Sequence, residues 1–529
     1  MPFAASVRRA RQADPGAVAV RLDGAAITYG QLAMRSSQVA RAVAETPRRT
    51  QRALGRLEIP RLTAVLTDNA PELPELLVGS TSGDAACALL DPRWSVEQTV
   101  DVLDRLEPDL LVTQEAHRRV AAAASDRGIG VVLLGSDPAD PQSYTRWLAP
   151  QQDLCPEQEL RCGEDDSVFL VGFTSGSTSV PKAFAMTRGS WRASLPVGAE
   201  IFGSAEAVTA APGPLQHGVA LYALAEALFT GATFVGARRF DAADLIREVR
   251  THEIRRLCLV PSMLHALHRA LPPGHPPLET VTVCTSSGAH LGKDLITTAA
   301  RVLPNARFVD YYGASELGCV SVHESPPGGV GTSVRRYFPG VEVEVRNEHG
   351  EVCPPGVAGQ ICVRSSYLSR GYLWGGGSGS FLDAQGWATV GDGGWCDEAG
   401  ELHLSGRAGS MIITGGWNVY PEEVEDVLRT VPGVDDVVVA GLPDDLLGEV
   451  VVAVIGCVDR GDLPPHATVV RACRARLPSH KVPGRIYLAA SLPRSSSGKV
   501  ARSEVVAWLT PAGPADHRLV ELLPSTTPR

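Results

Sequence analysis

The sequence predicts an α/β protein built on parallel sheets, and three observations predict it. From residue 28 to 298 short apolar runs alternate with longer stretches of helical periodicity, the pattern of strands returned through crossover helices. Several of those runs empty into polar, glycine-bearing loops, at Phe173-Thr-Ser-Gly, Thr285-Ser-Ser-Gly and Asp310-Tyr-Tyr-Gly. Open α/β sheets gather ligands at such strand exits. From residue 330 to 404 the texture changes to short alternating strands cut by Gly and Pro, which reads as a small, barrel-like β unit.

Taken in order, the apolar runs place strands at Thr63–Thr67, Leu110–Thr113, Val131–Leu134, Val168–Phe173, Ala207–Ala210, Thr233–Gly236, Leu257–Val260 and Val281–Thr285. Helical periodicity places helices at Tyr29–Glu45 and Val96–Leu106. The β unit follows, with Val341-Glu-Val-Glu-Val, Gln360-Ile-Cys-Val-Arg and Glu401-Leu-His-Leu as strands and a Gly/Ser loop at 375–380. After Arg407 a last unit begins, with a helix at Glu422–Arg429, strands at Val437–Ala440 and Val450–Ile455, and a helix near Val469–Leu477. A Pro-rich tail closes the chain.

The 529 residues suggest three or four structural units at about 150 residues each. Apolar residues make up 44% and charged residues 20%, so large cores are available. A net charge of -10 argues against a protein held to nucleic acid by phosphate contacts. The eleven cysteines are scattered without a Cys-x-x-Cys, which argues against a disulfide scaffold or zinc ribbon and suits a reducing, cytoplasmic setting. There is no apolar run long enough to span a membrane, and the Arg-bearing N-terminus lacks the apolar block of a secretory signal. Lys182, Lys293, Lys481 and Lys499 are the four lysines among 49 basic residues. A lysine kept against such an arginine bias marks a place where a compact charge serves better than a planar fork.

Five constellations carry chemistry. Phe173-Thr-Ser-Gly-Ser-Thr-Ser-Val-Pro-Lys182 sets hydroxyls, a glycine and a cation on a strand exit, a composition that can hold phosphate oxygens. It does not match the P-loop spacing, and Gly288-Ala-His-Leu-Gly-Lys293 falls one residue short of it and lacks the hydroxyl. Asp310-Tyr-Tyr-Gly-Ala-Ser-Glu316 offers an aromatic to stack on a base and a carboxylate to bind Mg²⁺ beside phosphates. Val390-Gly-Asp392 suits a ribose diol. Gly406-Arg407 precedes Thr414-Gly-Gly-Trp-Asn-Val-Tyr-Pro-Glu-Glu, where Gly-Gly admits a close ligand backbone and Pro421 opens a helix. Leu492-Pro-Arg-Ser-Ser-Ser-Gly-Lys499 places a lysine on a Ser/Gly loop. Each has a plain structural reading as a linker, turn or cap. Their order and spacing together do not.

In that order the five resemble the core motifs of the adenylate-forming superfamily, which includes acyl-CoA synthetases, firefly luciferase and peptide-synthetase adenylation domains. Ile27-Thr-Tyr-Gly-Gln-Leu and the segment Gly83–Asp91 resemble its early signatures, so the likeness covers nearly the whole chain. The resemblance implies an N-terminal domain, residues 1–408, of αβαβα parallel sheets plus a small β-barrel, and a mobile α+β lid domain, residues 409–529. It implies that Thr174, Ser175, Gly176, Ser177, Thr178 and Lys182 wrap the ATP β- and γ-phosphates. Ser287, Gly288 and Ala289 would line the adenine, beside Tyr311, Tyr312, Gly313 and Ser315, with Tyr312 stacked on it. Glu316, with Thr178, would hold Mg²⁺, and Asp392 and Arg407 would take the ribose hydroxyls. Lys499 would bridge the acyl carboxylate and the α-phosphate. After a rotation hinged near Arg407, Gly415 and Gly416 would line a pantetheine tunnel for coenzyme A.

The segment Pro214-Leu-Gln-His217-Gly-Val-Ala-Leu-Tyr222 matches the family's acyl pocket. His217, Val219 and Tyr222, with Gly288, Gly313 and Gly318, would contact the acid. His217 would gate the pocket or serve a structural role. No carboxylate there would meet an α-amine, which favours a fatty, aryl, terpenoid or polyketide acid. The chain departs from the family pattern at Ser179 and Ala183, commonly Gly, and at Gly409, commonly a polar hinge residue. ATP-dependent ligation of such an acid to CoA, in the secondary metabolism of a GC-rich bacterium, is the reading the resemblance favours; it competes with thioesterification of a supplied acyl-adenylate, loading of an acyl carrier protein, and a non-enzymatic nucleotide- or acyl-binding protein.

Overall fold

The computed structural model describes residues 4–49, 53–54, 57–151, 160–174, 180–204, 207–271, 274–288, 291–329, 334–376, 381–407, 412–414, 417–419, 421–444, 447–456, 465–495, 500–509 and 519–522. The chain divides into two compact units. One comprises Met1–Glu342 with Arg364–Ala388, and the other Val343–Val363 with Thr389–Arg529.

Two mainly parallel sheets organise the first unit. Among the described residues one has nine strands, in the order Val334–Tyr337, Gly318–Ser325, Arg307–Ala314, Val283–Ser286, Arg256–Leu259, Thr209–Ala210, Phe234–Val235, Val18–Leu22 and Ala25–Thr28. Its middle is parallel and its edges are antiparallel hairpins. The other has seven, in the order Tyr372–Trp374, Lys182–Thr187, Val168–Thr174, Ala85–Leu90, Arg61–Leu66, Leu110–Gln114 and Gly130–Leu134.

Three apolar clusters define the layers. The largest joins the inner faces of both sheets through the helices Tyr29–Glu45, Leu73–Ser80, Arg188–Ile201 and Gly218–Thr230. A second lies under Ala242–His252, Pro261–Ala270 and Lys293–Ala299, and a third under Val96–Leu106 and Arg118–Asp126. Helix, sheet, helix, sheet, helix is therefore the layer order. The central helices are buried on both sides, which explains the nearly all-apolar sequence of Gly218–Thr230.

The helices Tyr29–Glu45 and Val96–Leu106 run over the predicted residues because each is fixed at its start. Thr28 with Gln31, and Ser95 with Gln98, close reciprocal capping boxes. Of the strands that escaped the sequence reading, two flank the site. Ala85–Leu90 is buried on every residue and so has no alternation to betray it. Lys182–Thr187 pairs antiparallel with Val168–Thr174, so the segment at Lys182 re-enters the sheet. The strand through Asp310-Tyr-Tyr-Gly also continues past its expected end, to Ala314, before the chain folds back.

In the second unit, strands Glu342–Arg346, Gly359–Arg364, Asp392–Cys396 and Leu402–Arg407 form the expected small β unit. A second sheet centres on Gly448–Gly456, flanked by Asp436–Asp444 and Arg485–Ala489, with helices Pro421–Arg429 and His466–Arg476 on its apolar core. No helix among the described residues is long and apolar enough to cross a membrane.

Candidate active site

Thr174 ends the strand Val168–Thr174, and its register partner on the neighbouring strand is Lys182. The pairing sets the two residues opposite each other in the sheet although seven residues separate them. Glu316 arrives from the other sheet, in the turn between Arg307–Ala314 and Gly318–Ser325. Its side chain is 5% exposed. The Thr174 hydroxyl donates to Glu316 Oε1 at 3.1 Å, across 142 residues of sequence. The site thus forms where the carboxyl ends of the two sheets meet, as the parallel strands require.

Tyr372 joins this cluster, and the sequence reading missed it. Its hydroxyl donates to the same Glu316 Oε1 at 2.8 Å. Its ring centroid lies 5.5 Å from the Lys182 ammonium, a cation–π contact. The Ser369 amide donates to the Glu316 carbonyl at 2.8 Å, tying the approach to Tyr372 to the carboxylate turn. Gly375 follows at φ +81°, and a Cβ there would stand 2.9 Å from Lys182 Cγ, so glycine keeps the lysine stem in place. The available signal was the aromatic run Tyr372-Leu-Trp374 directly before a glycine-rich loop.

A buried carboxylate oxygen, two hydroxyls and one ammonium form a hard-oxygen donor set beside a cation. That chemistry fits phosphate oxygens and Mg²⁺. Ser175, Gly176, Ser177 and Thr178 lie outside the described residues, as do Ala289, Gly415, Gly416 and Lys499.

Ser287 is buried and Gly288, at φ +91°, is exposed just beyond the strand Val283–Ser286. Asp310 accepts from the Leu291 amide at 3.1 Å and anchors the end of that loop. Tyr311 and Tyr312 are successive strand residues and project to opposite faces. The structure therefore parts them, and Tyr311 packs inward on Phe202 with ring centroids 5.1 Å apart. A Cβ on Gly313 would lie 2.3 Å from the Gly318 carbonyl, so the hairpin closes only without a side chain at that position. Ser315 is exposed in the same turn.

His217 precedes the helix Gly218–Thr230. Its Nε2 lies 3.6 Å from Asp91 Oδ2 and 3.4 Å from Arg93 Nη2. Asp91 is 4% exposed and also receives Arg93 Nε at 3.1 Å. The imidazole is thus held by the end of the Gly83–Asp91 segment. Asn69 fixes the preceding loop, donating to the carbonyls of Gly213 at 2.9 Å and Ala237 at 2.7 Å and accepting from the Leu215 amide at 2.9 Å. Val219 and Tyr222 share a face one turn further on.

In the second unit Asp392 and Arg407 stand opposite each other as register partners on adjacent antiparallel strands. The structure brings this expected pair together in backbone.

With this geometry in hand, comparison with known proteins is direct. Residues 7–373 match the family model described as AMP-binding enzyme, and residues 423–499 match the AMP-binding enzyme C-terminal domain. An acyl-CoA ligase of Bacillus subtilis (strain 168), described as uncharacterized, is 34% identical over 502 residues, covering 94% of this chain and 96% of its own length. A feruloyl-CoA synthase of Amycolatopsis sp is 31% identical over 516 residues, covering 94% and 97%. The crystal structure of ATP-bound MatB from Rhodopseudomonas palustris superposes with a TM-score of 0.81 at 23% identity, over 95% of this chain and 98% of that one. The chain belongs to the AMP-binding enzymes, the adenylate-forming superfamily, and is of the acyl-CoA synthetase type.

Proposed function

We propose that the protein is an ATP-dependent ligase that converts a carboxylic acid lacking an α-amine into its CoA thioester. The observation that carries this reading is the convergence of Thr174, Lys182 and Glu316 from two sheets onto one point. In the first half-reaction a carboxylate oxygen attacks the α-phosphorus of ATP and pyrophosphate leaves. In the second the CoA thiolate attacks the acyl carbonyl and AMP leaves. Both steps depend mainly on positioning and charge neutralisation.

On this reading Thr174, the 175–178 loop and Lys182 hold the β- and γ-phosphates. Glu316 with Thr178 would hold Mg²⁺, which when bound neutralises phosphate charge. Tyr312 with Ser287, Gly288 and Ala289 takes the adenine, and Asp392 with Arg407 takes the ribose. Lys499 steadies the carboxylate against the α-phosphate. A lid of residues 409–529 then turns, and Gly415 and Gly416 admit the pantetheine arm. The acid lies along Val219, Tyr222, Gly313 and Gly318, with His217 at the gate. The likeness to a feruloyl-CoA synthase supports an aryl acid, and the arginine-rich, GC-biased composition supports a secondary-metabolic role.

The family-pattern departure at Ala183 leaves the site intact in this reading. Ala183 is fully buried in strand register with Phe173 and Trp374, where a methyl fits.

The test is incubation of the full chain with pooled carboxylic acids, ATP, Mg²⁺ and CoA, read by mass spectrometry. An acyl-CoA mass with stoichiometric AMP is expected. Thioester on a carrier protein with none on CoA would move the acceptor. Thioester from synthetic acyl-adenylate, with no adenylate formed from ATP, would leave the second half-reaction only. No product by any route would sink the reading.

A further inference from the structure

The strands Asp392–Cys396 and Leu402–Arg407 are joined by the turn Asp397-Glu-Ala-Gly-Glu401. Asp397 shapes that turn. Its Oδ1 accepts from the amides of Ala399 at 3.0 Å and Glu401 at 2.8 Å, and its own amide donates to the Glu401 carbonyl at 3.1 Å. Trp395 and His403 are register partners across the hairpin, as are Cys396 and Leu402. Residues two apart along a strand share a face. Trp395, Asp397, Glu401 and His403 therefore stand on one side of the hairpin, and Cys396 with Leu402 on the other.

Three donors meet on that side. One ligating atom from each of Asp397, Glu401 and His403 lies within 4.8 Å of the other two, and His403 Nε2 is 3.0 Å from Asp397 Oδ2. The Trp395 ring lies flat on the imidazole, with centroids 4.0 Å apart and 7° between planes, which fixes the plane of the donor ring. His403 and Asp397 are 29% and 30% exposed and Glu401 is half-buried, so the donors can be reached from solvent. Charge sets the cluster apart. Other acids of this unit are answered by arginine, Glu344 by Arg346 at 2.8 Å and Glu425 by Arg429 at 3.1 Å. Among the described residues neither Asp397 nor Glu401 pairs with Arg or Lys, and the exposed Glu398 adds a further acid. Two carboxylates left with one imidazole are a place where a cation is the missing partner.

We propose that Asp397, Glu401 and His403 bind one divalent transition-metal ion of the Zn²⁺ class, at the tip of this hairpin. The donor set selects the ion. One imidazole nitrogen with two carboxylate oxygens suits Zn²⁺, Co²⁺ or Ni²⁺, lacks the thiolate that a soft ion wants, and carries a nitrogen that Mg²⁺ and Ca²⁺ do not favour. Ligands about 2.1 Å from one ion stand about 3.4 Å apart in a tetrahedron. Asp397 and His403 are already near that spacing, and rotation of the Glu401 side chain closes the third distance. The ion takes the place of the proton between Nε2 and Asp397, and the ring proton stays on Nδ1. A fourth position is left to water. The site is separate from the proposed nucleotide residues, because Asp392 lies five residues back along its strand, about 17 Å away. Bound there, the ion cross-links the two strands whose far ends carry Asp392 and Arg407.

The experiment titrates Zn²⁺ into the full chain, stripped with chelator and dialysed, and follows heat and tryptophan emission together. One strong site per chain is expected, with an emission change that disappears in W395F because that ring stacks on the ligand. H403Q and E401Q should each weaken the site about tenfold or more. E401Q is nearly isosteric and leaves the turn intact, since the Glu401 backbone and not its side chain closes it, so it guards against a poorly folded H403Q. In E316Q, which alters the proposed Mg²⁺ carboxylate, the strong Zn²⁺ site should persist. Absence of a strong site, or a site left unchanged by both H403Q and E401Q, would overturn the proposal, as would its loss in E316Q alone. No ATP, acid or CoA enters the titration, so its outcome is independent of the ligase reading.

Discussion

Glu316 Oε1 accepts from two hydroxyls, Thr174 and Tyr372, that reach it from the other sheet. The two bonds fix the carboxylate before any ligand arrives, which is what a site built on electrostatic preorganisation needs. Replacing Glu316 with Gln keeps the size and one acceptor but removes the charge. We expect kcat to fall by about a hundredfold or more with the melting temperature little changed, a split that steady-state kinetics and calorimetry would read. Tyr372→Phe separates the two roles of the tyrosine. The ring under Lys182 stays and the hydroxyl on Glu316 goes, so the concentration of Mg²⁺ giving half-maximal rate should rise while Tyr372→Leu loses more activity still. Equal rates for wild type and both variants across a Mg²⁺ titration would show that Tyr372 only fills space.

Among elements, the loop before the helix Gly218–Thr230 depends on one side chain. Asn69→Ala strips partners from the backbone of Gly213, Leu215 and Ala237 together, the Leu215 amide being buried. The expected loss is about 2–4 kcal/mol in urea unfolding, with a raised KM for the acid because His217 loses its mooring. A packing counterpart is Gly79, where a Cβ would stand 2.5 Å from Val39 Cβ and 2.6 Å from the Ser36 carbonyl. Gly79→Ala should destabilise despite alanine's better helix propensity, since the helices Tyr29–Glu45 and Leu73–Ser80 would have to part. Element boundaries were legible where a local device sets them, as with the two capping boxes. They were illegible at Ala85–Leu90 and Lys182–Thr187, where burial on both faces or pairing to a distant strand sets them.

For the whole molecule the inner helical layer carries a pH-dependent term. Glu75 is buried against Tyr144, whose hydroxyl donates to it at 2.8 Å, with Arg35 Nη1 at 3.5 Å. Burial pushes its pKa from 4.5 up to about 7, against the lowering pull of Tyr144 and Arg35. The folded protein therefore keeps a proton, between these values, that the unfolded chain has released. Stability is full below about pH 4.5 and falls as pH rises towards 7, by up to about 3 kcal/mol from this group. Glu75→Gln removes the titration, so its stability relative to wild type should improve between pH 5 and pH 7.5. A constant difference in urea midpoint across that range would refute the assignment.

The sequence by itself determined the α/β class, the family likeness and, for the proposed phosphate end, the candidates Thr174, Lys182 and Glu316 that the fold then brings together. Those follow from local periodicity and from motifs whose members lie close along the chain. Tertiary structure decided what lies far apart in sequence: Thr174 on Glu316, Tyr372 between Glu316 and Lys182, His217 on Asp91, and Glu226 on Arg256. Glu226 is buried in the apolar helix Gly218–Thr230 and pairs with Arg256 at 2.6 Å, because an unpaired charge is too costly to bury. Which residue answers it depends on strand order and register, and these are fixed only when helices and sheets pack together.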